Sequence, residues 1–241
     1  MKRTISLGIL LLAAALICFA PFSGALPTGA SIVSNTTAGL PTYTAGNLTQ
    51  DRGTITTIIL SATQQDQNWK AYVGNITGKL TLDNAGGQTI YEWPIPLSDK
   101  KGEVYITRSG SPDFTNVSCA NDVNISTEEY FHNMTLAQGD NIRNTFNLTN
   151  HYGFYVGTTY INNNSCNSTA TFVNDVAQAV TGAQRFQEVV IQDGLFNTLF
   201  VTLLSSSTGY NGDVYDFQII VPESAIKSTP TTYYFYTQLQ S

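Results

Sequence analysis

Phe186-Gln187-Glu188-Val189-Val190-Ile191-Gln192 is followed closely by Leu199-Phe200-Val201-Thr202-Leu203-Leu204. Both runs are short, apolar and rich in β-branched residues, so they read as strands. Towards the C-terminus, Tyr210-Asn211-Gly212-Asp213 is an Asn-Gly turn signal. Residues 214–221 and 232–239 continue the β pattern beyond it. Towards the N-terminus, Phe154, Val156 and Tyr160 share one candidate strand, and Gly102-Glu103-Val104-Tyr105-Ile106-Thr107-Arg108 is another. Ile76, Leu80 and Leu82 alternate with polar or small residues, which predicts a strand with one buried face. Asp83-Asn84-Ala85-Gly86-Gly87 is a turn, because Asn and Gly tolerate positive φ, and residues 90–95 return as the partner strand. Pro94 and Pro96 place its far end at a sheet edge. A strand begins over residues 69–73, and Gly53-Thr54-Ile55-Thr56-Thr57-Ile58-Ile59-Leu60-Ser61-Ala62-Thr63 is dense enough in β-branched residues to be a further one. About ten strands separated by turns predict an all-β fold, an antiparallel β-sandwich.

One stretch breaks the pattern. Between residues 121 and 149, Ser126-Thr127-Glu128-Glu129 resembles a helix start, with hydroxyl caps ahead of acids. Tyr130, Phe131, Met134 and Leu136 supply a short apolar face. This predicts a surface insertion of short helices within a single ectodomain over residues 51–241.

The N-terminus has a different composition. Lys2 and Arg3 precede an apolar run of about 18 residues that ends at Pro21 and Phe22, followed by Ser23-Gly24-Ala25. A charged start, an apolar run and small residues ahead of a cut describe a secretory signal over residues 1–25. The competing reading is an uncleaved anchor, since the run sits at the short limit for a membrane-spanning helix. Residues 26–50, rich in Thr, Gly, Ala, Ser and Pro, read as an extended segment or a loosely attached first strand.

Charged residues make up 12% of the chain, and the formal net charge is −6. Without a basic patch, nucleic acid is excluded as a partner. A membrane is reached only through the N-terminal helix, if that is retained. Asn-x-Ser/Thr sequons stand at Asn35, Asn47, Asn75, Asn116, Asn124, Asn133, Asn147, Asn163 and Asn167. With 20 Asn and 50 Ser or Thr, chance gives about four such sequons, so nine is an excess. The excess points to N-glycosylation outside the cell. Of three cysteines, Cys18 lies in the signal; Cys119 and Cys166 remain, and an even pair in an exported chain reads as a disulfide.

A search for chemistry finds little. His132 and His151 are the histidines available to a catalytic triad, and neither lies near a Gly-x-Ser-x-Gly elbow. Both read as solvated surface residues. Asp213 with Asp216, and Asp83 with Asn84, fit turn chemistry better than a calcium loop. Glu92, Glu103, Glu188 and Glu223 are the carboxylates a glycosidase would need, with no pairing evident. Trp69, Tyr72, Tyr91, Trp93, Tyr105, Tyr210, Tyr215, Tyr233, Tyr234 and Tyr236 are read as core and cross-strand residues, with a sugar-stacking row as the alternative. Phosphate loops and haem motifs are absent, and no cofactor, metal site or enzyme activity is expected.

Trp69-Lys70-Ala71-Tyr72-Val73-Gly74-Asn75-Ile76-Thr77-Gly78, Tyr91-x-Trp93, Gly102-Glu103-Val104-Tyr105, Asn116-Val117-Ser118-Cys119 and Asp216-Phe217-Gln218-Ile219-Ile220-Val221-Pro222-Glu223 resemble uncharacterised archaeal secreted proteins. The resemblance implies an archaeal exterior location and a disulfide-bonded cysteine pair, and transfers no catalytic residue. The expectation is therefore a secreted or cell-surface structural or adhesive protein, such as a filament or surface-layer-associated subunit. Its partners would be other copies, other surface proteins or glycans. The alternatives are a secreted carbohydrate-binding or carbohydrate-cleaving domain, and an N-terminally anchored sensor or solute-binding ectodomain.

Overall fold

The structure is a computed structural model that describes residues 25–39, 45, 47, 49, 52, 55–94, 101–179, 181–226 and 229–240. Residues 1–24, which hold most of the expected signal and Cys18, lie outside the described residues, as do Gly53, Thr54, Ile95 and Pro96.

The chain is all-β, organised on one antiparallel sheet. At its centre β10 (Gln187–Gln192) pairs with β11 (Thr198–Leu203), from Glu188 opposite Thr202 to Gln192 opposite Thr198. The turn between them is built on Asp193. Its Oδ1 accepts from the N–H groups of Leu195 (2.9 Å) and Asn197 (2.8 Å), and its Oδ2 from that of Asp113 (2.9 Å). Outward from β11 lie β5 (Lys101–Thr107), β15 (Tyr234–Gln240) and the two-residue β1 (Thr28–Gly29). On the other side of β10, β6 (Ser118–Cys119) and β9 (Ser168–Ala170) share one edge: β6 pairs at Ile191 and Gln192, β9 at residues 187–189.

The central strands read as nearly continuous apolar runs because both faces of the sheet are covered. Tyr105, Val189, Ile191, Leu199 and Val201 point to one core. There they meet Phe114, Val117, Cys166 and the hairpin of β7 (Phe154–Val156) and β8 (Thr159–Ile161). Val104, Ile106, Val190 and Phe200 point the other way. On that side, Ile219 and Val221 come from β14 (Phe217–Pro222), which pairs with β2 (Trp69–Gly74). Ile125 and Met134 come from helix α1 (Asp122–Phe131) and the loop after it, and Ile142 and Phe146 from helix α2 (Ile142–Thr145) and its C-cap. Thus one covering layer is a two-stranded ribbon plus two short helices. The short ribbon of β12 (Ser207–Thr208) and β13 (Val214–Tyr215) carries the Asn211-Gly212 turn, with Gly212 at φ +92°.

Several local expectations are corrected. Helix α1 does not start at Ser126. Asn121 caps it, its side chain accepting from Val123 and Asn124 N–H, so Ser126 and Thr127 lie mid-helix. Capping boxes and mid-helix hydroxyls look alike in sequence, and Asn is as good a cap as Ser. Of the expected apolar face, Met134 is buried, whereas Tyr130 and Leu136 stand in solvent. Residues 55–63 form no strand and are exposed throughout. Strand propensity is realised only against a neighbour, and no strand pairs with this segment among the described residues. The start of the 26–50 segment is a loosely attached first strand, with Thr28 opposite Thr237 and Gly29 opposite Tyr236 in its own sheet. Among the described residues, no helix is long and apolar enough to cross a membrane.

Candidate functional site

Each carboxylate expected to bear chemistry is committed elsewhere. Glu92 pairs with Lys79 on an exposed hairpin. Glu103 is buried and accepts from the Tyr105 hydroxyl at 3.4 Å. Glu188 is sealed beneath β14, where the Ile220 N–H donates to its Oε2 (2.9 Å). Glu223 accepts from the Ser224 N–H and the Thr231 hydroxyl. Asp216 is buried and bonds the Ile76 N–H and the Ser206 hydroxyl, while Asn84 closes its turn by accepting from Gly86 and Gln88 N–H. Among the described residues, no group of three or more His, Cys, Asp or Glu is placed to hold a metal ion.

Both histidines are buried, which corrects the expectation of solvated ones. His151 Nε2 accepts from the N–H groups of Ser165 (3.1 Å) and Cys166 (3.0 Å), so Nδ1 carries the proton and donates to the Tyr152 carbonyl. Burial lowers its pKa against the opposing pull of that carbonyl. A neutral His151 therefore holds the backbone of the disulfide. Cys119 and Cys166 are bonded, with Cα atoms 5.0 Å apart, and fasten the point where β6 and β9 meet along β10. His132 Nε2 lies 3.2 Å from both Glu128 Oε1 and the Tyr233 hydroxyl, and Arg108 grips Glu128 with two bonds of 2.7 Å. Arg108 also lies 3.6 Å over the Phe131 ring. This network pins α1 to β5 and to the start of β15. Sequence reading missed it because Glu128 and His132 are joined by partners 20 and 101 residues away in the chain, Arg108 and Tyr233.

The sequons divide by burial. Asn35, Asn47, Asn75, Asn116, Asn133, Asn147 and Asn163 are exposed, and Asn167 is half-buried. Asn124 is buried in α1, and its amide donates to the Phe196 carbonyl at 2.7 Å. It is therefore a structural residue in the folded chain, against the expectation of a glycan there.

What remains facing outward is apolar. β3 (Lys79–Asp83) and β4 (Thr89–Pro94) form a hairpin that pairs with no other strand among the described residues. Leu80 is opposite Trp93 and Leu82 opposite Tyr91, so these four side chains share one face. The other face carries Lys79, Thr81 and Glu92. The apolar face was expected to be buried, yet Leu82 (54%), Tyr91 (58%) and Trp93 (47%) are about half exposed. The Tyr91 and Trp93 rings pack on each other at 4.7 Å. Two further aromatic pairs lie at the surface, Tyr155 with Tyr160 and Tyr210 with Tyr215. By contrast Trp69, Tyr72, Tyr105, Tyr233 and Tyr236 pack inward, as expected of core aromatics; Trp69 also donates its Nε1–H to the Asp140 carbonyl. Another apolar surface is the stretch from Ile55 (100% exposed) to Leu60 (86%), which pairs with no strand among the described residues.

No family model, curated protein or solved structure matches this chain.

Proposed function

We propose that this is an exported structural or adhesive protein of the cell surface, and that it works by making protein–protein contacts rather than by catalysis. The observation that carries this reading is the β3–β4 hairpin, whose Leu80, Leu82, Tyr91 and Trp93 line up on one solvent-facing side. An ordered row of large apolar side chains held in water marks an interaction surface. The disulfide and the sequon excess support an exterior setting. The ionisable groups considered for chemistry serve the fold instead, tied into turns, caps and buried pairs.

The test is sedimentation of the exported chain, purified with its disulfide intact, over a range of concentrations. The expected result is reversible self-association that Trp93→Ser weakens with little change in the melting temperature of the core, because Trp93 belongs to neither core cluster. A chain that stays monomeric at every concentration, and binds no other component of the surface fraction, overturns the reading.

A second reading is favoured by the Tyr91–Trp93 pair: two adjacent exposed rings can stack on the apolar faces of sugars. Quenching or enhancement of tryptophan fluorescence by oligosaccharides, abolished in Trp93→Ser, would support it.

A further inference from the structure

We infer that residues 55–62 of one copy add as a strand to the edge of β3, unpaired among the described residues, in a second copy, converting the hairpin into a three-stranded sheet between molecules. This rests on the assembly reading above and names its partner.

The segment Ile55-Thr56-Thr57-Ile58-Ile59-Leu60-Ser61-Ala62 contains no charge, proline or glycine, which is the composition of a strand that adds to another chain's edge. It is exposed along its whole length and pairs with nothing among the described residues. Water is the least favourable surrounding for such a sequence. The hairpin has the complementary deficit, an apolar face one strand too narrow to shield itself, and two-stranded hairpins gain independent stability from a third strand.

The edge is identified by its donors. Every residue of β3 has a backbone N–H, whereas β4 ends in Pro94, which has none. Eight extended residues span about 26 Å, enough to run the full length of five-residue β3, about 17 Å. Period-two alternation puts Ile58, Leu60 and Ala62 in one row. In the register that places this row beside Leu80 and Leu82, the apolar face widens from four side chains to seven. Thr57, Ile59 and Ser61 then fall on the opposite face, with Lys79, Thr81 and Glu92.

The donor is a second copy because of where the segment is tethered. Residues 63–68 lead directly into β2. Asn68 is fixed there by its side chain on Asp140 (2.7 Å) and by its carbonyl, which accepts from the Glu223 N–H (2.7 Å). β3 begins only after the far end of β2. In its own molecule the segment is exposed at every residue and pairs with neither strand of the hairpin among the described residues, with the six-residue length of β2, about 20 Å, between Asn68 and the connection to β3. A neighbouring copy has no such separation.

The experiment mixes two single-cysteine forms of the exported chain, Ile58→Cys and Leu82→Cys, each with the Cys119–Cys166 bond formed, and adds a short thiol–thiol cross-linker. The expected product is a covalent heterodimer whose linked peptides contain positions 58 and 82. The double variant in one chain, at concentrations below assembly, should give no internal link; an internal link there overturns the inference. Ile58→Asp with Leu60→Asp should weaken self-association by about tenfold or more, since charge blocks strand addition, and leave the melting temperature unchanged. If that variant assembles like the unaltered chain while Trp93→Ser does not, the hairpin is still the contact surface and this occupant is wrong. If the unaltered chain never self-associates, this inference is overturned, and the assembly reading falls with it when the chain also binds no other component of the surface fraction.

Discussion

Glu128 and Glu188 are both sealed from solvent, but their surroundings differ. Burial raises the Glu128 pKa, and the bonds from Arg108 and His132 outweigh it, holding the carboxyl below its ordinary 4.5. Such a group stabilises the fold at pH above the ordinary value, and that stability is lost as pH falls through the lowered one. Glu188 is also buried but has one donor, the Ile220 N–H, and its Oε1 has no partner, so desolvation pushes it well above the ordinary value. There the folded state holds the proton more tightly than the unfolded chain, so stability falls as pH rises from about 4.5 through the raised pKa. Two predictions follow from this contrast. Glu188→Gln, which keeps the shape and cannot ionise, should raise the melting temperature at pH 8 by at least about 2–4 °C, the shift that ~1 kcal/mol makes in a domain of this size, and change it little at pH 4. Equal effects at both pH values in calorimetry would refute titration as the cause. Glu128→Ala should cost about 3 kcal/mol by urea unfolding at pH 7, because it leaves Arg108 partly buried with no counter-charge. Neither environment was legible in the sequence. Alternation assigns Glu188 to a face of β10, but only the crossing of β14 over that face makes it a buried acid.

At the scale of elements, the strands that packed centrally were legible and those at the margin were not. β5, β10, β11 and β15 coincide with apolar runs, since both of their faces meet a core, and β14 coincides with one because it packs on the second core. Residues 55–63 carry as strong a β composition as these and form no strand, because composition does not state whether a neighbour is present. The same gap explains the β3–β4 hairpin: its turn and its alternation were readable, whereas the exposure of its apolar face was not. The disulfide was readable from parity alone, and the fold gives it a purpose. The 47-residue separation encloses α1, α2 and the β7–β8 hairpin, and the chain leaves and rejoins the same edge of β10 through β6 and β9. Replacing both cysteines by alanine should cost about 4 kcal/mol from the loop-closure entropy of that length. The loss should be seen as a lower denaturant midpoint, and should exceed that of Asn121→Ala, which removes the α1 cap and costs about 1 kcal/mol. If the cap variant were the more damaging of the two, the bond would not be what holds the insertion in place.

Across the whole molecule, burial turns a uniform row of sequons into a pattern that mass spectrometry can read. Seven sequon asparagines are exposed, Asn167 is half-buried, and Asn124 alone is enclosed. Hydrogen bonding at an exposed site does not forbid a glycan. Asn75 and Asn163 use only their carbonyl oxygens, accepting from the Asp216 and Gly153 N–H groups, which leaves the amide nitrogen free for the sugar. Asn116 and Asn133 donate their amide nitrogens to hydroxyls but stand exposed, whereas Asn124 donates its own to the Phe196 carbonyl in a space closed by α1 and the β10–β11 turn. A sugar there would break that bond and force the helix off the turn. Once the chain has folded, the Asn124 sequon should therefore carry no glycan, while peptides containing Asn35, Asn47, Asn75, Asn116, Asn133, Asn147 and Asn163 carry the mass of one. Site by site, glutamine replacement should invert the consequence. Asn124→Gln should destabilise by about 1–2 kcal/mol, through loss of a buried side-chain bond to backbone, and leave the intact mass otherwise unchanged. Asn147→Gln should remove one glycan mass and leave stability within about 0.5 kcal/mol. A glycan found on Asn124 in the native, disulfide-bonded protein would mean that α1 does not pack on the β10–β11 turn as described, and the Arg108–Glu128–His132 network that depends on the same helix would fall with it.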